Sequence, residues 1–467
     1  MKTYQDLQEV RKKNDEKELM SFLIAAINDH KSSEMYKMAI EADLYMRHKN
    51  AFIYNAVDLI EDALGRRVPT LSDAVKCASG FFPTFVIQQN QYLLGNGVTF
   101  NNKQTKDKLG GDEFDDKLSF MGEAALWGIV SFGFYNRNKV ETFKLGSIDE
   151  PSFVPLWDEE NGSLRAGIRF WQIDPQKPLR VTLYEMDGIT EYMQRKSEEM
   201  RELTPKKTYK QKIYSTKKDG VIGISNGGNY PAFPIVPFWG NPEHQSELVS
   251  IKGKIDMYDL ISTGFARDEQ EAATIYWTIS NAGGMDKKDL KEFVENLRVV
   301  RAANTSEQTR VEAHTVEVPY QSRETYLNRL ENDMYRDFMA LNLRDISAGN
   351  NTATAIEAAY ETLNNKADRY EYCVRQFIKG LLELAGVDDA PTFKRSKIVN
   401  VAEQTNAVLA MGNYIDDRTA LNLFPLISVD EVDEIRARKA EEEMGRYEDT
   451  AAEEQEEPLG NTSKEAE

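Results

Sequence analysis

One apolar stripe in the carboxyl-terminal third constrains this chain most. Ile356, Tyr360, Leu363, Ala367, Tyr370, Val374, Phe377, Leu381 and Leu384 follow one another in steps of four and three without a miss. That spacing puts all nine on one face of an α-helix. Thr354 followed by Glu357 is a capping-box signature at its start, and Gly386, Asp388, Asp389 and Pro391 stop it. The predicted helix, Thr352 to Ala385, would be about 51 Å long at ~1.5 Å per residue. So long a stripe needs an equally long apolar surface to cover it, as a core or as a coiled-coil seam.

Other segments declare their periods as clearly. Residues 4–62 read as helical, with Leu19, Phe22, Leu23, Ala26 and Ile27 on one face. Leu71–Leu94 is an apolar stretch closed by Gly95-Asn96-Gly97, and Phe114 to Trp127 is a further helix. From Gly128 to Pro237 the chain turns β-rich. Asn161-Gly162, Asp187-Gly188 and Asp219-Gly220 each lie between strand-like runs, the strongest short hairpin signal there is. Pro231, Pro234, Pro237 and Pro242 then force an extended crossing. Gln245 to Arg267 and Glu324 to Leu341 read as amphipathic helices around a mixed insert. In that insert, Thr274–Thr278 and Arg298–Ala303 are strand-like, Lys287–Leu297 is helical, and Val311–Val318 alternates with period two. The two flanking helices are expected to run antiparallel. Val401 to about Met444 is a last helical region, interrupted near Asp416 and Pro425. The fold class is therefore α+β and mainly helical.

Charge narrows the function. The formal net charge is −19, and residues 430–467 hold a net −10 of it. That tail cannot bury anything, and its last ~20 residues are expected to be disordered. No apolar run approaches the ~20 residues of a membrane span, and residues 1–20 carry no secretory h-region. Cys77 and Cys373 cannot make a disulfide framework. The composition describes a soluble, intracellular, acidic protein that does not grip nucleic acid through bulk charge.

Chemical motifs are sparse. Gly110-Gly111-Asp112-Glu113-Phe114 matches the diguanylate-cyclase signature letter for letter, which offers a nucleotide-processing enzyme as an alternative. That signature needs a hairpin between apolar strands, whereas here Lys103–Leu109 precedes it and Asp115-Asp116-Lys117 follows. A linker with Asp112 as helix N-cap fits better. His30, His48, His244 and His314 show no ligand spacing, so no metal or cofactor is expected. The three long helices expose more apolar stripe than one chain readily covers. That suggests self-assembly, and a head-to-tail contact that closes makes a ring. A helical scaffold or adaptor without a channel is the other non-enzymatic alternative.

Taken in order, several segments resemble the portal proteins of tailed bacteriophages, in the type found in siphophages of Gram-positive hosts. Gln89-Asn90-Gln91-Tyr92-Leu93-Leu94-Gly95-Asn96-Gly97-Val98-Thr99 resembles the family's "NYLLGxPVT" segment. Ala124-Ala125-Leu126-Trp127-Gly128 resembles its helix-to-strand step. Pro155-Leu156-Trp157-Asp158 with Ala166-Gly167-Ile168-Arg169-Phe170-Trp171 is similar to its "PVYD … AIRYW" pair. Pro231 to Asn241, Ser246-Glu247-Leu248 and Ile255-Asp256-Met257-Tyr258-Asp259 resemble its approach to the stem helix and its "IDxYD". The likeness covers about residues 30–435. Phe238-Trp239-Gly240 is loosely matched, and the first ~30 residues and the acidic tail match nothing firm.

The resemblance implies a non-enzymatic ring, a homododecamer at one capsid vertex of the virion, assembled in the host cytoplasm. Double-stranded DNA would be packaged and ejected through it. Implied partners are the terminase large subunit, the head-completion adaptor, and the scaffolding and major capsid proteins, with no membrane. Residues 1–243 and the long helix with its extension, 352–395, would be the wing. Residues 244–271 and 321–341 would be the two stem helices, and 272–320 the clip. The crown would be 396–445, followed by the acidic tail 446–467. Residues 342–351 would be the tunnel loop, with Arg344, Asp345, Ser347, Gly349, Asn350 and Asn351 at the DNA channel. Residues 246–345 carry a net −5. Neutralised phosphates release counterions and tighten binding, so a mildly acidic wall suits a conduit that lets DNA slide. For the loop itself two readings stand: Arg344, Asn350 and Asn351 touch DNA transiently, or Gly349 and the asparagines only make a tight turn and a helix cap.

Overall fold

The computed structural model describes residues 1–61, 67–71, 76–196, 198–215, 222–272, 276–280, 288, 291, 310–314, 320–342, 344, 353–396, 408–411, 414–424, 427, 431–432 and 434–442. Four helices open the chain: α1 (Tyr4–Lys13), α2 (Glu16–Ser32), α3 (Glu34–Met46) and the short α4 (Ala51–Tyr54). The expected helix over 4–62 fails at its end. Val57–Glu61 is strand β1, paired antiparallel with β2 (Arg67–Leu71). Local propensity misses this because the pairing strand lies beyond the window. Next come α5 (Phe81–Leu94), β3 (Val98–Phe100), α6 (Gln104–Asp107) and α7 (Glu113–Gly128).

Seven strands follow: β4 (Val130–Tyr135), β5 (Val140–Lys144), β6 (Ser152–Trp157), β7 (Leu164–Trp171), β8 (Leu179–Glu185), β9 (Gly188–Gln194) and β10 (Arg201–Lys207). The hairpin β11 (Lys210–Ser215) and β12 (Ile222–Gly228) projects from them, and β13 (Ile235–Trp239) returns. One eight-stranded sheet results, in the order β10-β9-β8-β7-β6-β5-β4-β13. All three turn dipeptides join antiparallel strand pairs, although Asp219-Gly220 itself lies outside the described residues. Pro237 is tolerated in β13 because that strand is an edge.

Both faces of this sheet are covered, which is why β4 and β6 are apolar almost throughout. Phe132, Phe143 and Phe153 face a core shared with α5, α7 and the long helix. Val154, Leu156, Ile168 and Leu183 face the other way, against Leu7, Leu23 and Ile27 of α1 and α2. Arg11 clamps Glu185 through two hydrogen bonds, and Gln5 bonds Asp158 at 3.0 Å. His30 ends α2 fully buried, its Nε2 2.9 Å from the Leu145 carbonyl. Desolvation is the main cause that lowers its pKa to about 4. The unfolded chain therefore binds a proton that the folded one refuses. Stability is complete above ~6.5 and falls as pH drops from there to about 4, by up to roughly 3 kcal/mol. Urea denaturation across that range should show a shallower loss in His30→Gln.

The carboxyl-terminal half holds α8 (Lys252–Ala272), the pair β14 (Tyr276–Ser280) and β15 (Arg310–His314), α9 (Tyr320–Phe338) and α10 (Ala353–Ala385). Beyond them lie β16 (Pro391–Phe393), which pairs with β3, and α11 (Asp417–Leu423), capped by Asp416. The stripe on α10 is core rather than coiled coil. Phe377 stacks on Phe238 at 4.6 Å and closes over Gly133, where a Cβ would come within 2.6 Å of its ring. From Tyr360 on, the chain covers this stripe by itself. Gly386 at φ +68° ends the helix, and Val387 N–H reaches back to the Leu382 carbonyl at 3.0 Å. The side chain of Thr354, with which Glu357 is expected to form a capping box, the helix over Lys287–Leu297 (apart from 288 and 291), the strand over 298–303 and the acidic tail 446–467 lie outside the described residues.

Candidate functional site

The region where α8, α9 and α10 meet is built on one face of α5. Phe81, Phe85, Gln88 and Tyr92 are spaced four, three and four apart and point the same way. Phe81 packs edge-on to Tyr258 of α8, centroids 5.0 Å apart. Phe85 meets Tyr335 at 4.9 Å and Phe338 at 5.0 Å, both on α9. Gln88 bonds Leu341, three residues beyond the end of α9. Tyr92 stacks on Tyr360 at 5.8 Å and donates to Asn364 at 2.5 Å, both on α10.

The opposite side of α8 is fixed by polar contacts at one-turn intervals. Asp256 accepts from the Tyr45 hydroxyl, and its other oxygen accepts from Lys252 at 3.1 Å. Lys252 also pairs with Glu41 at 3.3 Å. Asp259 is fully buried, and accepts from Asn50 Nδ2 and from the Ser79 backbone N–H at 2.9 Å. Desolvation raises its pKa, against the pull of those donors, and neighbouring Asp256 adds to the rise. Thr263 Oγ1 accepts from Cys77 N–H at 3.0 Å. The two carboxylates of Ile255-Asp256-Met257-Tyr258-Asp259 are therefore anchors of a helix root. Val249, Met257 and Leu260 remain exposed on another face.

Helix α8 does not begin at Gln245 as periodicity suggests. A 3-10 turn, Glu247–Ser250, comes first, and the α-helix runs on to Ala272. The cause is Ser246, whose hydroxyl donates to the Trp127 carbonyl at 2.7 Å and accepts from Leu248 N–H at 3.2 Å. Helices α8 and α9 are antiparallel. Lys254 pairs with Asp337, and further along Arg323 lies over the Phe265 ring at 6.0 Å. The expected helix to Leu341 stops at Phe338, because Met339 turns left-handed at φ +62° and Ala340 N–H bonds the Tyr335 carbonyl at 2.9 Å. Lys366 of α10 locks this end. Its ammonium donates to the Phe338 carbonyl at 2.7 Å, lies 3.1 Å from the Phe338 ring centre, and pairs with Glu247 at 2.8 Å. Burial pushes its pKa down, with Glu247 opposing.

Of the expected loop residues, the structure places Arg344. Its N–H donates to Asn342 Oδ1 at 3.1 Å and its guanidinium to Glu331 at 2.9 Å. Asp345, Ser347, Gly349, Asn350 and Asn351 lie outside the described residues. Residues 110–114 are a turn opening α7, with Gly110 and Gly111 at φ +137° and +65°, not the tip of a strand hairpin. Asp112 sits at the N-cap position but makes no side-chain capping bond, since its own backbone is already helical at φ −63°. Among the described residues no cluster of three or more His, Cys, Asp or Glu could hold a metal, and no helix is long and apolar enough to cross a membrane.

The sequence matches the family described as "Phage portal protein, SPP1 Gp6-like" over residues 26–455. The chain belongs to that portal protein family. Among its relatives is the portal protein of Clostridium phage phiCD119, 23% identical over 447 residues that cover 88% of this chain and 96% of that one. The portal protein of Bacillus phage SPP1 is 26% identical over 402 residues, covering 78% of this chain and 75% of its own. A solved structure, the neck of an empty gene-transfer-agent particle, is 10% identical, with a TM-score of 0.43 over 74% of this chain and 90% of its own. The portal-family match begins at residue 26, so α1 and most of α2, which cover the outer sheet face, precede it. Within the matched region, the residues that tie the helices together are Asn50, Gln88, Asp259 and Lys366, and periodicity alone singles out none of them. Asp256 and Asp259 carried a signal: carboxylates one turn apart beside the buried Ile255 and the half-buried Tyr258.

Proposed function

We propose that this portal-family chain forms a ring of twelve subunits at one capsid vertex, through which double-stranded DNA is packaged and ejected. Helices α8 and α9 are the stem, residues 272–320 the clip that docks the terminase large subunit and then the head-completion adaptor, and 342–351 the tunnel loop. The wing is 1–243 with 352–395, and the crown is 396–445. The observation that carries this reading is membership of the portal family over nearly the whole chain. The antiparallel pair α8 and α9, rooted in the rest of the fold by Asp256 and Asp259, supports it as a stem. The exposed Met257 and Leu260 on α8, and Val249 in the turn before it, suit a contact with a neighbouring subunit. Residues 246–345 carry a net −5, and a wall of that sign does not hold phosphates by counterion release. The contacts with DNA are weak, transient and independent of sequence.

Replacing Gly349, Asn350 and Asn351 by alanine tests the loop's part in this. Rings should still assemble, while DNA packaged per ring in a packaging assay falls several-fold. Packaging and retention equal to wild type would refute a DNA contact by the loop.

A further inference from the structure

Gln88 holds both backbone groups of one residue. Its Nε2 amide donates to the Leu341 carbonyl at 3.0 Å, and its Oε1 accepts from the Leu341 N–H at 2.9 Å. A side-chain amide so placed imitates a neighbouring β-strand. Leu341 is buried with Tyr92, Tyr360, Leu363 and Ala367, so its backbone groups have little water to turn to. It stands two residues beyond Met339, whose left-handed backbone has already broken α9. Leu341 thus stands just before residues 342–351, its side chain packed on α10 and its backbone groups held by α5.

We infer that Gln88 is the positioning residue of the tunnel loop: it sets where and in which direction 342–351 leaves the stem. The inference rests on the loop reading above. Gln88 belongs to the α5 face that also packs on α8, α9 and α10, so the same helix that aligns the three long helices aligns the loop. Lys366 holds the preceding carbonyl, Phe338, and leaves the Leu341 groups to Gln88. Two anchors from two helices therefore bracket the left-handed Met339, and the chain between them has one direction to take.

The test uses assembled rings of Gln88→Met and Gln88→Glu beside the 349–351 alanine variant. Methionine matches the length and volume of glutamine but keeps neither bond. Glutamate keeps the acceptor for Leu341 N–H and loses the donor. Hydrogen exchange over 340–344 should rise roughly tenfold in Gln88→Met, the loss expected for a buried hydrogen-bond pair, and less in Gln88→Glu. Thermal stability should fall too, more in Gln88→Met than in Gln88→Glu, since methionine strands both Leu341 groups, and packaging should fall in the same order. A side chain that merely fills space would show the reverse, with methionine harmless and glutamate disruptive, and that result overturns the inference. So does unchanged exchange in both variants. If the alanine variant loses packaging and Gln88→Met does not, the inference fails while the loop reading stands. If neither loses it, the loop reading fails and takes the inference with it.

Discussion

Asp259→Leu will destabilise the fold by about 3 kcal/mol, while Asp259→Asn will cost less than about 1. The carboxylate is fully buried and receives Ser79 N–H and Asn50 Nδ2. Leucine has the shape but strands both donors in a dry site, at about 1–3 kcal/mol each. Asparagine keeps the acceptor for Ser79. It also brings a new N–H₂, and Asn50 Oδ1, buried and without a partner, can turn to receive it. The pH dependence separates the two. Burial raises the Asp259 pKa, so the folded chain holds this proton more tightly than the unfolded one. Wild-type stability therefore declines as pH rises from the ordinary carboxyl range through the raised value, and is constant above it. The gap between Asp259→Asn and wild type should widen in the same window in the asparagine variant's favour. Denaturant titrations at several pH values measure both.

Lys366→Met will cost about 3 kcal/mol, and Glu247→Gln in the same chain will restore part of it. Lys366 and Glu247 side chains are each only 11% exposed. Removing the ammonium leaves a buried carboxylate alone, which costs about 3–5 kcal/mol where measured. It also uncaps the Phe338 carbonyl at the negative end of α9. Glutamine at 247 removes the stranded charge but not the uncapped carbonyl, so recovery is partial. A double-mutant cycle by chemical denaturation should give a coupling of at least ~1 kcal/mol. Additive effects would mean that the two groups do not act as a pair.

Much of this architecture is legible in the sequence, because its signals are local. The α10 stripe and the Asn161-Gly162 and Asp187-Gly188 turns each depend on residues within a turn or two, and each appears where expected. Elements that depend on distant partners are misjudged. Strand β1 exists because 67–71 pairs with it, and α8 starts late because Ser246 finds the Trp127 carbonyl 119 residues away in sequence. The cover of the α10 stripe is distant in the same way: it comes from α5, β4 and β13. The portal likeness was visible in the order of short motifs, and the structure assigns them physical work. Asn90 bonds Tyr370, Tyr92 bonds Asn364, and Asp256 and Asp259 root a helix. Gln88, immediately before the first motif, has no periodic or compositional mark. Its partner is a backbone 253 residues on.

The central claim is that this chain closes into a ring around a channel, and electron microscopy of the purified protein tests it most directly. The account predicts closed rings with a central hole, seen end-on, with the α8 and α9 pairs of all subunits surrounding it. Compact monomers without a hole, at concentrations where portal assemblies form, would contradict it.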